Sequence, residues 1–163
     1  MNTGQMMLSI GAIVLLATIV LRVNNSFLST NETMNESKFG VLAVSLAQSV
    51  IEEASNKAFD AQTDGNAIHD STLLTSPSGL GPASTEHYPD FNDFDDFNGF
   101  QKDVTNLPSA NFHISCKVFY IEAANPDEAV NHKTWNKKII VTVSNKSSKD
   151  TVRVSSIFSY WYF

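Results

Sequence analysis

The segment GQMMLSIGAIVLLATIVLRV, Gly4 to Val23, constrains this chain more than any other. It carries no charged side chain before Arg22. Twenty helical residues rise about 30 Å, the thickness of a bilayer's hydrocarbon core. A core helix of a soluble protein is the competing reading. The rest of the chain is too polar to enclose a helix that is apolar on every side. A secretory signal peptide would need a basic start and a small-x-small cleavage site. Neither is present: no Lys or Arg precedes Gly4, and RVNNSFL follows the apolar run. The expectation is therefore an uncleaved membrane-spanning anchor. By charge bias alone, Arg22 favours a cytoplasmic C-terminal side.

After the span, Val23 to Met34 is rich in Asn, Ser and Thr, which are weak helix formers. This polar junction is expected to be a frayed stretch of one long helix. Apolar residues then recur every three or four positions at Phe39, Leu42, Leu46, Val50, Ala54 and Ala58, widened by Ala43, Ala47 and Ile51. The pattern predicts an amphipathic helix over residues 37–60. Residues 61–110 read as loop, punctuated by DGN, PSG, LGP and HYP. His69 and His87 in this stretch read as solvated.

From Asn111 the apolar period changes to two. Phe112, Ile114, Cys116, Val118 and Tyr120 form one strand face, with Phe119 and Ile121 covering the far end of the other. Trp135, Ile139, Val141 and Val143 form the inward face of a second strand, opposite Asn136, Lys138, Thr142 and Ser144. A short turn at residues 145–150 leads to a third strand through Val152, Val154, Ser156, Phe158, Tyr160 and Tyr162. The prediction is an α+β fold. A long N-terminal membrane-spanning helix continues into an amphipathic helix, which packs on a C-terminal antiparallel β-meander over residues 111–163. Residues 1–36 are the anchor and polar junction, and residues 37–163 the soluble domain.

The chain has 163 residues and a formal net charge of −6. Nucleic-acid binding needs a basic footprint, so it is not expected. A single cysteine, Cys116, excludes an internal disulfide and a Cys-based zinc cluster. Its place in the strand alternation predicts a buried, inert thiol. No Gly-rich phosphate loop, GxSxG elbow or HExxH helix occurs, and His113 and His132 have no matched nucleophile. The chain is not expected to be an enzyme.

One acidic stretch is a candidate site. In DFNDFDDFNGF, Asp90 to Phe100, four rings at Phe91, Phe94, Phe97 and Phe100 fall three residues apart among carboxylates. Calcium takes six to eight oxygen ligands. Asp90, Asp93, Asp95, Asp96 and Asn98 are the residues that would supply them, with Asn92 beside them. No EF-hand spacing is present. The other reading is an anchor strip: rings on one side of a wound loop pack on sheet and helix, and the acids turn to water. Each buried ring is worth on the order of 2–3 kcal/mol. The anchor strip is the expected reading, and calcium the secondary one.

Several motifs resemble type IV pilin-like proteins and the pseudopilins of type II secretion. They are FDDFNGF (94–100), VFYI (118–121), NPD (125–127), KKIIVTV (137–143) and SYW (159–161). The order of apolar helix, amphipathic continuation, loop and C-terminal sheet is similar along nearly the whole chain. The resemblance implies a structural filament subunit held in the inner membrane by its helix, with an extracytoplasmic C-terminal domain and a possible destination in a cell-surface filament. Its partners would be copies of itself or other pilin-like subunits, and the assembly machinery. Self-assembly would use the helix stripe Met7, Ile10, Val14, Ala17 and Leu21. Leader processing would fall between Gly4 and Gln5. The chain departs from the family here: no base precedes Gly4, and Ser9 stands where the family carries a glutamate. Minor members at a filament tip can lack that glutamate. The alternative is a single-pass membrane-anchored binding module that recognises a protein or glycan and does not polymerise, with the aromatic tail at residues 159–163 as its surface.

Overall fold

The computed structural model describes residues 2–107, 110–145 and 151–161. Among the described residues, one α-helix, α1 (Thr3–Ser55), four short 3-10 turns and five strands make up the regular structure. The chain divides into two compact units, one ending at Phe39 and one from Gly40 onward.

The first unit is helical from Thr3, and α1 runs through Val23–Met34 without a break. The expected fraying is not found. Hydroxyls along the helix turn back onto it: Thr30 Oγ1 donates to Ser26 O at 2.8 Å and Thr33 Oγ1 to Ser29 O at 3.0 Å. These two hydroxyls are thereby partnered within the helix rather than competing with it. The apolar stretch is long and hydrophobic enough to cross a membrane, and none of it is buried within the protein.

In the second unit, the last turns of α1 bury Ala43, Ala47, Val50, Ile51 and Ala54. The spacing of four, three, one and three marks a single helical face. All five belong to the predicted face, whose centre lies on the Ala43–Ala47–Ile51 side, since Leu42 and Leu46 are only half-buried. Small residues lie at its centre, so the backbone itself is closely covered. The helix stops at Ser55 rather than reaching Asp60. The cause lies just beyond: Ala58 N–H donates to Asn92 O at 3.2 Å, and Ala58 O accepts from Phe94 N at 2.8 Å. Both backbone groups that a helix would use are taken by a parallel bridge.

The strands are β1 (Gln101–Val104), β2 (Phe112–Glu122), β3 (Asn125–Ala129), β4 (Asn136–Asn145) and β5 (Thr151–Ser159). They form one antiparallel sheet in the order β1-β2-β4-β5, with β3 paired to the end of β2. The expected meander corresponds to β2, β4 and β5. β1 falls within the expected loop and β3 within the expected connection between strands. Both are short and polar, with no alternation to betray them. The inward faces match the period-two pattern: Phe112, Ile114, Cys116, Val118 and Tyr120 on β2 and Ile139, Val141 and Val143 on β4 are all buried. On β5 the residues at Val152, Val154, Ser156 and Phe158 are half-buried, as suits a strand at the sheet edge. The expected turn at 145–150 lies, after Asn145, outside the described residues, as do Tyr162 and Phe163. Burial pushes the Cys116 thiol up to about 12, so it is inert at neutral pH.

Candidate functional site

The site centres on one lysine. Lys137 shares its parity with Ile139, Val141 and Val143 and therefore points into the core, where it has no exposed surface. An ammonium carries three donors. Lys137 Nζ donates to Phe59 O at 2.8 Å, to Asp60 Oδ2 at 2.8 Å and to Asp95 Oδ1. The Phe59 ring lies 4.6 Å from Nζ and the Tyr120 ring 5.3 Å, close enough for cation–π attraction.

Asp60 sits just past the end of α1, where it caps the 3-10 turn Ala61–Thr63. Its Oδ1 accepts from Gln62 N at 3.1 Å and Thr75 Oγ1 at 3.0 Å, and its Oδ2 accepts from Thr75 N at 3.0 Å. The Tyr120 hydroxyl lies 3.3 Å from Oδ2 and donates to Thr75 O at 2.8 Å. Burial pushes the Asp60 carboxyl up. The Lys137 charge and these hydrogen bonds outweigh it and hold the group below the usual carboxylate range.

The acidic stretch supplies the other side. Asp93 Oδ1 accepts from the backbone N–H of Asp95 at 2.8 Å and of Asp96 at 3.2 Å. Asp96 Oδ2 returns the bond, accepting from Asn92 N at 3.0 Å and Asp93 N at 3.2 Å. This reciprocal pair winds the 3-10 turn Asp95–Phe97. Burial, reinforced by the Asp95 and Asp96 charges, pushes Asp93 up to about 8, so it holds its proton at neutral pH. Burial also pushes Asp95 up, against the pull of Lys137.

These positions correct the expectation that the acids turn to water. Asp93, Asp95 and Asp96 are each 2% exposed, as deeply buried as the rings. The rings do not form one strip either. Phe91, Phe97 and Phe100 pack mutually edge-to-face at 5.2–5.7 Å. Phe94 turns the other way onto Phe158, at 5.2 Å. The residues expected to bind calcium are not brought together as ligands. Asp90 is exposed, Asp93 and Asp96 point at backbone N–H groups, and Asp95 is on Lys137. Asn98 bridges two segments, donating from Nδ2 to Leu80 O at 2.9 Å and accepting at Oδ1 from Val118 N at 3.0 Å. Among the described residues no three His, Cys, Asp or Glu side chains converge to hold a metal.

The stretch is a clasp. It bonds the segment after α1 through Ala58, and β2 through Gly99 N to Cys116 O at 3.1 Å and Cys116 N to Phe100 O at 2.9 Å. Gly99 has φ +81°, which a residue with a Cβ rarely adopts, and this turn leads the chain into β1.

The remaining sequence candidates lie on α1. Gly4 and Gln5 are in its first turns, and Ser9 Oγ donates to Gln5 O at 3.0 Å. Met7, Ile10, Val14, Ala17 and Leu21 all face outward from the helix, with Met7 77% and Leu21 61% exposed. His113 and His132 pair with Asp103 and Glu122 on the surface, at 2.8 and 2.7 Å. Lys137 and Asp60 were missed. The signal for Lys137 was present in the strand alternation. For Asp60 it was the Asp-x-x-Thr spacing to Thr63, the mark of a capping box.

Comparison with protein-family models, with characterised proteins and with solved structures gave no match.

Proposed function

We propose that this chain is a structural subunit of a type IV pilus-like filament or a type II secretion pseudopilus, assembled through its hydrophobic N-terminal helix. The observation that carries this reading is the apolar part of α1, which the protein itself leaves wholly uncovered. Such a surface is stable only in lipid or against other apolar helices. Met7, Ile10, Val14, Ala17 and Leu21, spaced three and four apart, form one seam along it. Before assembly the helix lies in the inner membrane, with the β-domain on the extracytoplasmic side. After assembly the same seam packs against copies of itself or other pilin-like subunits. The second unit suits a filament exterior, because its clasp and buried ion pairs fix a loop-rich domain in one arrangement.

Deletion of Gly4–Val23 tests the reading. The truncated chain is expected to be soluble, monomeric and absent from filaments when co-expressed with the intact chain. Normal incorporation of the truncated chain into filaments would refute it. Trp161, 78% exposed, favours a second reading, a membrane-anchored binding module whose aromatic tail meets a protein or glycan. Under that reading the intact chain stays monomeric in detergent and in vesicles, and Trp161→Ala abolishes ligand capture.

A further inference from the structure

We propose that Lys137 and Asp95 become joined by an intramolecular amide between Lys137 Nζ and Asp95 Cγ, formed inside the folded domain with release of water. The two groups come from different elements, β4 and the turn Asp95–Phe97, and are 42 residues apart in the chain. Folding delivers the amine to hydrogen-bond contact with a carboxyl oxygen, one bond from the carboxyl carbon. An amine held in that position gains the large effective concentration of an intramolecular reaction. Neither partner meets bulk water: the Lys137 side chain is 0% exposed and that of Asp95 2%. The Phe59 and Tyr120 rings flank the nitrogen. Such a dry site favours neutral groups over charged ones and lets the released water leave the equilibrium.

The neighbouring acids divide the remaining work. Asp93 stands beside Asp95, its Oδ1 2.8 Å from the Asp95 backbone N, and burial with the neighbouring charges keeps its carboxyl protonated. Asp60 Oδ2, 2.8 Å from Nζ, holds the nitrogen in place. Asp60 is a poor electrophile, because its hydrogen bonds stabilise the ionised carboxylate.

The steps balance. The Lys137 ammonium passes a proton to Asp95, leaving a free amine and a neutral carboxyl. The amine lone pair forms the N–C bond to Asp95 Cγ, and the carbonyl π pair moves to oxygen. Asp93 donates its proton to the departing hydroxyl, the C–O bond breaks, and water leaves. Asp93 recovers a proton from the new amide nitrogen. The sum is one ammonium and one carboxylate converted to one amide and one water, with no oxidant, reductant or activating group.

The test is mass spectrometry of the full-length protein purified in detergent. The intact chain is expected to weigh one water less than its sequence. Digestion is expected to yield a branched peptide joining Lys137 to Asp95, with no cleavage by trypsin after Lys137. Localisation to that peptide separates the amide from a succinimide at Asp64–Gly65, which also loses water. Lys137→Arg, Asp95→Ala and Asp93→Asn are each expected to show the full mass; Asp93→Asn keeps the acceptor that winds the turn. Because the decisive measurement is on the unaltered chain, failure of a variant to fold does not obscure it. Recovery of separate, unlinked Lys137 and Asp95 peptides as the dominant species from folded wild-type protein would overturn the proposal.

Discussion

Lys137 Nζ stands 2.8 Å from Asp60 Oδ2, and neither side chain has exposed surface. A buried pair of this kind contributes little beyond a well-packed apolar alternative, but breaking it leaves a charge without water or partner. Lys137→Met removes the nitrogen that Asp60 and Asp95 share, an ammonium before the proposed amide forms and the amide nitrogen after it. The expected loss is about 3–5 kcal/mol, read from urea unfolding of the full-length chain. Adding Asp60→Asn and Asp95→Asn to Lys137→Met is expected to recover part of it. A loss below about 1 kcal/mol for Lys137→Met alone would mean that water reaches the site.

The two ends of the pH range are governed by different acids. Asp93 is raised from an ordinary value near 4 to about 8. The folded state therefore binds its proton where the unfolded state does not. That contribution is complete below about pH 4 and is lost as pH rises through about 8. Asp60 is lowered, so its contribution is present above the ordinary carboxylate value and is lost as pH falls through its folded one. The melting temperature is expected to decline between about pH 4 and 8, and Asp93→Asn, which keeps the Oδ1 acceptor, is expected to flatten that decline. Parallel profiles for the two proteins would show that Asp93 is ionised in the fold.

The outline of the fold was legible wherever one periodicity ran unbroken. Gly4–Val23 announced a long apolar helix, and Phe112 to Tyr120 announced a strand buried on one face. β1 and β3 were not legible, because QKDV and NPDEA carry no apolar alternation and bury almost nothing. The acidic stretch was half legible. Its rings showed that it is fastened, but spacing along the chain does not show that Phe94 and Phe97 face different neighbours. Nor could composition reveal that Asp95 is buried, since the cation that makes this tolerable lies 42 residues away. The adjacent lysines show how far position outweighs residue type. Lys137 enters the core, while Lys138 on the opposite face reaches Asp127 on β3 at 2.7 Å.

Asn98 joins Leu80 and Val118 with one side chain, so its two ends can be tested separately. Asn98→Ala leaves the Val118 N–H and the Leu80 carbonyl without these partners. The expected cost is about 1–3 kcal/mol, with faster hydrogen exchange at the Val118 amide. Asn98→Asp keeps an acceptor for Val118 but turns an oxygen toward the Leu80 carbonyl. It is expected to preserve protection at Val118 while loosening the loop near Leu80. Equal exchange at Val118 in wild type and Asn98→Ala would show that the bridge does not hold β2.

The buried line on α1 is made mostly of alanine, and Ala47 at its centre has no exposed surface. A fully buried alanine leaves no room beside it for a longer side chain. Ala47→Leu forces added carbons into that packing and is expected to destabilise the fold by about 1–3 kcal/mol, despite the good helix propensity of leucine. Gln48→Leu, one position along on an exposed face, places the same leucine side chain where nothing obstructs it. It is expected to change stability by less than about 0.5 kcal/mol. If both variants unfold at the same urea concentration, the helix is not packed through its alanine face.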